Sequence, residues 1–278
     1  MESICSFLVC SGLFLAIAMI LCLKGKNLGR RTKKLPPGPP GWPIIGNIFD
    51  LGTEPHRALQ ELKLKYGPVL RLRLGSMDTV VIQSAKAAAQ LLKNHDASFC
   101  DRKPLDEMFF AGSETTSAAT EWAMAELLRK PEAMRKVKEE LNEVVGENRN
   151  VEERDIEKLP YLQAVVKEAL RLHPSVPLLV PRNTMQDTNF MGYHIAKDTQ
   201  VFVNAWAIGR DPDSWEDPLT FKPERFLGSN IDYKGQNFEL IPFGSGRRIC
   251  IGMLLAQRVL LLSLASLIHC FDWELDKD

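Results

Sequence analysis

A single cysteine in a glycine-rich stretch near the C-terminal end constrains this chain more than any other feature. The stretch is residues 243–252, FGSGRRICIG, and a long apolar run follows it. Glycines let the backbone approach closely and aim several N–H groups at one point. The helix predicted after the loop turns its positive end toward the sulfur. Both effects favour an anionic sulfur, so Cys250 is predicted to be a nucleophile or a metal ligand.

Composition and charge indicate an ordinary globular body. Of the 278 residues, 45% are hydrophobic and 25% are charged, and the formal net charge is zero. A zero net charge gives no support for nucleic acid binding. The six cysteines contain no C-x-x-C pair and no regular spacing, so neither a disulfide framework nor a zinc site is predicted. We expect a reducing, cytosol-facing compartment.

The N-terminal residues 1–23 predict a membrane anchor. Residues 4–23 carry no charge, and about 20 apolar residues suffice to cross a bilayer as a helix. Six lysines and arginines follow between residues 24 and 34, which places that side in the cytosol. The length of the run and the basic cluster beyond it favour a retained signal anchor over a cleaved signal peptide.

Residues 24–47 are predicted to connect this anchor to the body. Five of the nine residues 35–43 are proline, which excludes helix and central strand and gives a stiff, extended segment. Two roles remain open and can coexist. The segment is either a plain linker or a spacer that sets the height and tilt of the body on the membrane.

The first part of the body, residues 48–104, is predicted to be scaffold. Its pattern predicts a helix over 55–65, a hairpin of two strands over 69–74 and 79–82, and a helix over 85–93. No chemical site is visible in it. The character of the sequence changes at residues 101–104, DRKP, and the second part, residues 105–278, begins there.

The helix predicted from Met108 to about Arg129 has an unusual centre. Gly112 and three hydroxyl residues near it are weak helix formers, and such clusters often mark an opening in the helical hydrogen bonds. Glu114 and Thr115 would then offer an acid and an alcohol at the opening. Alternatively, Thr115 bonds back to a carbonyl one turn earlier and Glu114 faces solvent. The residue types alone favour this second arrangement.

A second polar motif lies on the helix predicted from about Asp155 to His173. Glu168 and Arg171 are three residues apart and share one helix face. They form either an exposed ion pair or a buried E-x-x-R pair joined by a second arginine, for which Arg225 is the candidate. A carboxylate buried between two guanidiniums accepts several charge-assisted hydrogen bonds and locks its surroundings.

The last predicted helix follows the cysteine loop, from Ile251 to about Ile268. It is hydrophobic on nearly all sides. We therefore expect it to be buried.

Taken in chain order, these motifs resemble the cytochrome P-450 family. The order is apolar anchor, proline-rich hinge, A-G-x-E-T at 111–115, E-x-x-R at 168–171, P-E-R-F at 223–226 and F-x-x-G-x-R-x-C-x-G at 243–252. The likeness is greatest to plant microsomal members that oxidise terpenoids or phenolics. It implies a mainly α fold with small β-sheets, bound haem b, and a haem-thiolate monooxygenase that inserts one oxygen atom of O2 into a small hydrophobic substrate. It also implies electrons from NADPH through a separate cytochrome reductase, and an endoplasmic reticulum membrane location with the body facing the cytosol.

The resemblance also implies roles for single residues. Cys250 would ligate the haem iron and favour O–O cleavage, and Arg248 and Arg182 would pair with the haem propionates. Glu114 and Thr115 would guide protons to bound dioxygen through water. Further contacts with the haem are expected from Phe243, Gly246 and Gly252. The haem-proximal core is expected to contain Glu168, Arg171 and Arg225. The substrate pocket is expected to include Phe109, Phe110, Ala111, Val176, Leu178, Leu179 and Val180.

The chain is much shorter than complete members of that family. Only a few residues separate residues 102–104 from the helix with the A-G-x-E-T motif, so a large internal part is expected to be missing at this junction. The last strands of the family are also expected to be missing after residue 275. The fold should then be incomplete, with several central helices and most of the substrate roof absent. Uncovered apolar surface and weak or absent turnover should follow.

The same residues also bear on three other functions. A haem isomerase or dehydratase would use the same thiolate without external electrons, but the Glu114–Thr115 pair argues against it. A non-catalytic membrane protein would keep the anchor and compete for the reductase or other partners. A cysteine hydrolase has no support, because no histidine is paired with a cysteine near the loop.

Overall fold

The computed structural model describes residues 34–101 and 108–275. The predicted anchor, residues 1–23, lies outside the described residues. Helices dominate the described part, and two small sheets accompany them, which confirms the prediction of a mainly α fold with small β-sheets. The helices are α1 Pro55–Tyr66, α2 Ala85–Ala89, α3 Met108–Arg129, α4 Pro131–Val144, α5 Pro160–Leu172, α6 Ala205–Ile208 and α7 Met253–Cys270.

Proline at the first position starts three of these helices: α1, α4 and α5. Proline has a helix-compatible φ, and its missing N–H is not needed in the first turn. The start predicted for α5, near Asp155, is therefore wrong. A separate 3-10 helix, Glu153–Lys158, precedes Pro160. The first N–H groups of α5, those of Tyr161 and Leu162, donate to the Glu140 carboxylate at 2.7 and 2.9 Å.

A four-stranded sheet joins the two parts of the body. Its order is β1 Val69–Leu74, β2 Met77–Ile82, β6 Gln200–Val203 and β3 Arg182–Asn183. β6 pairs with β2 in parallel, and the other two pairings are antiparallel. Strands β4 Thr188–Phe190 and β5 Tyr193–Ile195 form a separate hairpin. The described residues of the two parts, 48–101 and 108–275, therefore share one sheet and belong to one compact unit.

Much of the predicted proline-rich hinge packs on the edge of this sheet. The Arg71 N–H donates to the Pro37 carbonyl at 2.8 Å, and the Asn47 N–H donates to the Arg73 carbonyl at 2.6 Å. Gly38 makes the close approach possible, since a Cβ there would lie 1.8 Å from the Arg71 oxygen. The segment from Pro37 to Asn47 is therefore part of the body and not a free linker.

The largest core cluster lies between α3, α4, α5 and α7. The prediction that α7 is buried on nearly all sides is only half right. Leu264 is fully buried, but Leu254 and Leu255 in the first turn are 65% and 67% exposed. The face of α7 that carries Leu254, Leu255 and Val259 is exposed and lacks a covering element within the described part of the chain, as expected if central helices are missing. Among the described helices, α7 is long and apolar enough to cross a membrane. Its second half, however, packs in the core.

Because α7 is buried in its second half and exposed in its first turn, the same Leu→Ala substitution should lower the free energy of unfolding by different amounts at the two places. Leu264→Ala should lower the free energy of unfolding by about 2–5 kcal/mol, because it leaves a cavity in the core. Leu254→Ala should change it by less than about 0.5 kcal/mol, because its side chain is mostly in solvent. Urea titrations followed by circular dichroism measure both. Equal costs would contradict the packing of α7.

A second stability prediction concerns the buried carboxylate of Asp155. Arg149 donates two hydrogen bonds to it, at 2.6 and 2.9 Å, and the Glu152 N–H donates a third at 2.9 Å. These bonds, that of Arg149 foremost, hold the pKa of Asp155 well below its usual 3.8. Since the folded pKa is below the unfolded one, the stabilisation is present above about pH 4 and is lost as the pH falls toward the folded pKa.

Asp155→Asn should therefore lower the melting temperature at pH 7, and its difference from the wild type should shrink below about pH 4. Thermal melts across this range measure it. The control is Asp272→Asn, which removes a carboxylate paired with Lys138 at the surface. A deficit that stays constant down to pH 2 would show that ionisation of Asp155 is not its cause.

Candidate functional site

The cysteine loop, residues 243–252, is a closed turn that leads into α7. The Cys250 N–H donates to the Phe243 carbonyl at 2.9 Å. Gly246 has a φ of 69°, in the left-handed region that favours glycine. Cys250 is exposed, and a Cβ on Gly252, the residue before α7, would lie 3.9 Å from its Sγ. The thiol is therefore presented at the surface beside the first turn of α7.

Phe243 anchors the loop to the helical core. Its ring packs edge-on against the Tyr233 ring, with centroids 5.3 Å apart, and it borders the main core cluster. Burial of Tyr233 raises the pKa of its hydroxyl. The aromatic contact and the bond from Cys250 to the Phe243 carbonyl together hold the start and the end of the loop in place.

Arg182 lies beneath the loop and is 4% exposed. Its position at the start of β3 directs it to the loop, where Nη2 donates to the Ser245 carbonyl at 3.1 Å. Nη1 donates to the Asp96 carboxylate at 3.2 Å. Burial lowers the pKa of Arg182, and the neighbouring Asp96 carboxylate opposes that shift. The guanidinium is thus fixed against the loop backbone.

Arg248 lies on the exposed side of the loop, and its Nε donates to the Cys100 carbonyl at 2.6 Å. The Arg182 guanidinium therefore binds the backbone of the cysteine loop, and the Arg248 guanidinium extends from the loop to the Cys100 carbonyl. Guanidiniums bind carboxylates through paired N–H groups. The loop combines a sulfur ligand with donors for an anionic group.

Asp96 is a site residue that the sequence did not reveal. It lies in the part predicted to be scaffold, and its carboxylate accepts the backbone N–H of Arg247 at 2.9 Å as well as the bond from Arg182. Gly246 makes room for it, because a Cβ there would lie 2.7 Å from the Leu92 oxygen and 2.9 Å from Asp96 Oδ1. No local signal marks Asp96, since its partners are far along the chain.

The A-G-x-E-T segment lies in a regular part of α3. Thr115 Oγ1 donates to the Ala111 carbonyl at 2.7 Å, and Glu114 is exposed. Of the two arrangements that the sequence allows, this is the one without an opening, so the suggested break in the helical hydrogen bonds is absent from this structure. Ser175, after α5, donates to the Thr115 carbonyl at 2.8 Å and ties that segment to α3.

The residues expected in the substrate pocket differ in exposure and in the residues that they contact. The structure does not describe the side chains of Phe109 and Phe110. Ala111 is exposed. Leu178 packs into the core cluster between α1 and the sheet. Leu179 lies near the loop, because a Cβ on Gly244 would be 3.9 Å from its Cδ1. The remaining two are Val176, which is half-buried, and Val180, which is 42% exposed.

Glu168, Arg171 and Arg225 meet in the core on the far side of α5. Arg171 donates to both Glu168 oxygens, at 2.7 and 2.8 Å, and both side chains are completely buried. Arg225 Nε donates to Glu168 Oε1 at 3.1 Å, and the Lys222 N–H donates to the same oxygen at 2.8 Å. The remaining Arg171 donors bind backbone carbonyls of Gly209, Pro218 and Thr220. The group joins α5 to the segment that precedes the cysteine loop.

The site suits a metal that arrives with ligands of its own. In residues 34–101 and 108–275, no group of three or more His, Cys, Asp or Glu side chains could hold a metal ion. A metal at Cys250 would therefore need other ligands, as a porphyrin supplies. The guanidiniums beside the loop suit the carboxylates of such a group. The residues present on this side fit haem.

The cytochrome P450 family model matches the chain in two pieces, residues 36–106 and residues 102–278. The pieces meet at the junction where the sequence predicts a missing internal part. Among curated relatives, iridoid oxidase of Catharanthus roseus is 36% identical over 459 aligned positions, covering 92% of this chain and 89% of the relative. Since the chain has 278 residues, much of that relative has no counterpart in it, which confirms the internal truncation.

Two further relatives match in different ways. Cytochrome P450 76A1 of Solanum melongena is 63% identical over 169 residues, which cover 61% of this chain and 36% of the relative. Drimenol monooxygenase of Persicaria hydropiper is 32% identical over 457 positions, which cover 94% of this chain and 91% of the relative. Because the family model matches residues 36–278 in two pieces, and relatives above 30% identity align with most of the chain, this chain belongs to the cytochrome P450 family.

Proposed function

We propose that Cys250 is the thiolate ligand of haem b and that the chain derives from a haem-thiolate monooxygenase of small hydrophobic substrates. The observation that carries this proposal is the exposed Cys250 thiol in a loop fixed by the buried Arg182 guanidinium. Haem, when bound, supplies the activation of O2. Arg182 and Arg248 hold its propionates, and Phe243, Gly246 and Gly252 shape the loop around the sulfur.

We assign proton delivery to Glu114 and Thr115, which supply an acid and an alcohol in the A-G-x-E-T motif. Glu114 is open to water, which suits a carboxylate that exchanges protons with solvent. The Thr115 hydroxyl is bonded to the Ala111 carbonyl. It would have to turn away from that carbonyl to hold a proton for the reaction. Val176, Leu179 and Val180 form the apolar side of the substrate site, with Phe109, Phe110 and Ala111 on α3.

The substrate class that we propose is a terpenoid or a phenolic. Relatives named iridoid oxidase and drimenol monooxygenase support the first, because iridoids and drimenol belong to terpenoid chemistry. Electrons come from NADPH through a separate reductase. The apolar run 4–23 and the basic cluster after it support anchoring in the endoplasmic reticulum membrane, with the body in the cytosol.

We propose that turnover by this chain is weak or absent. Glu114 and Ala111 on α3 and the first turn of α7 are exposed, and the chain lacks a large internal part of its relatives. This exposure favours a second candidate function, in which the chain is a non-catalytic membrane protein that competes for the reductase. An assay with the reductase and another P450 tests it. The second function predicts that this chain binds haem, supports no NADPH oxidation by the reductase, and slows the other P450 when the reductase is limiting.

The proposed ligand is tested by a carbon monoxide spectrum. The full chain is expressed in membranes, supplied with haem, reduced and exposed to carbon monoxide. A thiolate ligand is expected to give a red-shifted Soret band. Cys250→Ala should abolish that band, whereas Cys270→Ala, which removes another exposed cysteine at the far end of α7, should leave it unchanged. Failure of the wild type to retain haem, or a band that survives Cys250→Ala, refutes the proposal.

A further inference from the structure

The Asp96 carboxylate connects three parts of the cofactor site. Its Oδ1 accepts a bond from Arg182 Nη1 at 3.2 Å, and its Oδ2 accepts the backbone N–H of Arg247 at 2.9 Å. The Arg247 guanidinium is 3.5 Å from the same Oδ2. The carboxylate is 13% exposed. A single residue from the N-terminal part therefore binds both the buried arginine and the backbone of the cysteine loop.

The surroundings are built for this contact. Gly246 has a positive φ, and any Cβ there would collide with Leu92 and Asp96, so the loop and the segment before Asp96 are closely packed. Arg182 is 4% exposed, and a buried guanidinium without a counter-ion is costly. Asp96 is its ion-pair partner. The contact is a packed joint, not an exposed surface pair.

We infer that Asp96 is a positioning residue for haem binding. It holds the Arg182 guanidinium and the cysteine loop in the arrangement that receives the propionates. The inference rests on the proposed function, because it assigns a role toward the same cofactor. It also assigns the N-terminal part, residues 48–101, a share in the cofactor site in addition to its role as scaffold.

The alternative is that Asp96 competes with a propionate for Arg182. Two observations favour positioning. A guanidinium has five N–H donors, and the bonds to Asp96 and Ser245 use two of them, so donors remain for another carboxylate. Asp96 also carries one negative charge, whereas the guanidiniums of both Arg182 and Arg247 lie within 3.5 Å of it. A positive surplus remains for the propionates.

The test compares haem with a haem that lacks propionate charges. The full chain in detergent is titrated with haemin and with haemin dimethyl ester, and the Soret band reports both dissociation constants. Asp96→Asn should weaken haemin binding about tenfold, the order expected for losing a charged hydrogen bond, and should change ester binding by less than about twofold. Asp78→Asn, which breaks the exposed ion pair with Arg71, is the control and should change neither.

A second substitution tests the route through Arg182. Arg182→Met should reduce the preference for haemin over its ester, with the remaining preference due to Arg248, and Asp96→Asn should then weaken haemin binding by less than it does in the wild type. Arg182→Lys keeps the charge but not the paired N–H groups, and it should weaken haemin more than the ester. This variant tests the same point if Asp96→Asn does not fold.

Different failures are distinguishable. Tighter haemin binding by Asp96→Asn would show competition, and equal weakening of haemin and ester would show a purely structural role. Either result overturns the inference and leaves the proposed function intact. Absence of binding of both porphyrins by the wild type contradicts the proposed function and the inference together.

Discussion

Glu168→Gln is expected to lower the free energy of unfolding by about 3–5 kcal/mol, the range for breaking a buried ion pair by removing one partner. Glu168 accepts two bonds from Arg171, one from Arg225 and one from the Lys222 N–H. Without the carboxylate charge, Arg171 would remain completely buried and uncompensated. Since whole domains are stable by about 5–15 kcal/mol, this loss should remove a large share of the stability of the chain. Urea denaturation at 25 °C measures it.

A matched control separates burial from charge pairing. Glu139→Gln breaks the ion pair with Arg135, in which both side chains are more than half exposed. It should cost less than about 0.5 kcal/mol, as exposed helix pairs do. Comparable costs for the two substitutions would mean that the Glu168 group is not the joint between α5 and the segment before the cysteine loop.

Gly246→Ala is expected to displace the cysteine loop and to lower the free energy of unfolding by about 2–5 kcal/mol, from backbone strain and overpacking together. The residue has a φ of 69°. A Cβ would lie 2.7 Å from the backbone oxygen of Leu92, which cannot move away as a flexible side chain can. Loss of the carbon monoxide Soret shift should accompany the loss of stability, because Cys250 follows four residues later.

Gly228→Ala provides the control for this prediction. Gly228 has nearly the same φ, 70°, but a Cβ there would have no neighbour within 4 Å. Its cost should be the backbone strain alone, about 1–2 kcal/mol, with the Soret shift unchanged. If both substitutions cost the same, the close packing of the loop on the segment before Asp96 contributes nothing.

Several elements were predictable because their causes are local. Strand β1 has the predicted bounds, and Ser84 caps α2 by accepting the Ala87 N–H. The helix predicted from about Asp155, in contrast, begins at Pro160, because proline is suited to the first position of a helix and not to its interior. The regular helix around Thr115 shows that weak helix formers do not by themselves open a helix when packing and back-bonding hold it.

The candidate site divides in the same way. Cys250, its glycines, Arg247 and Arg248 are neighbours in the chain, so residue type and spacing alone predict this loop as a candidate site. The family match and the internal junction at residues 102–106 also follow from the order of residues. These features depend on backbone preferences and motifs that span a few positions.

Only the tertiary structure decided what surrounds the loop. Asp96 and Arg247 are 151 positions apart and meet because β2 and β6 pair and bring the N-terminal part against the loop. The exposure of Leu254 and Leu255 on α7 likewise depends on which elements are present to cover them, not on the apolar sequence of the helix itself. Local sequence determines which groups a segment offers, whereas burial and ion pairing depend on distant segments that packing brings together.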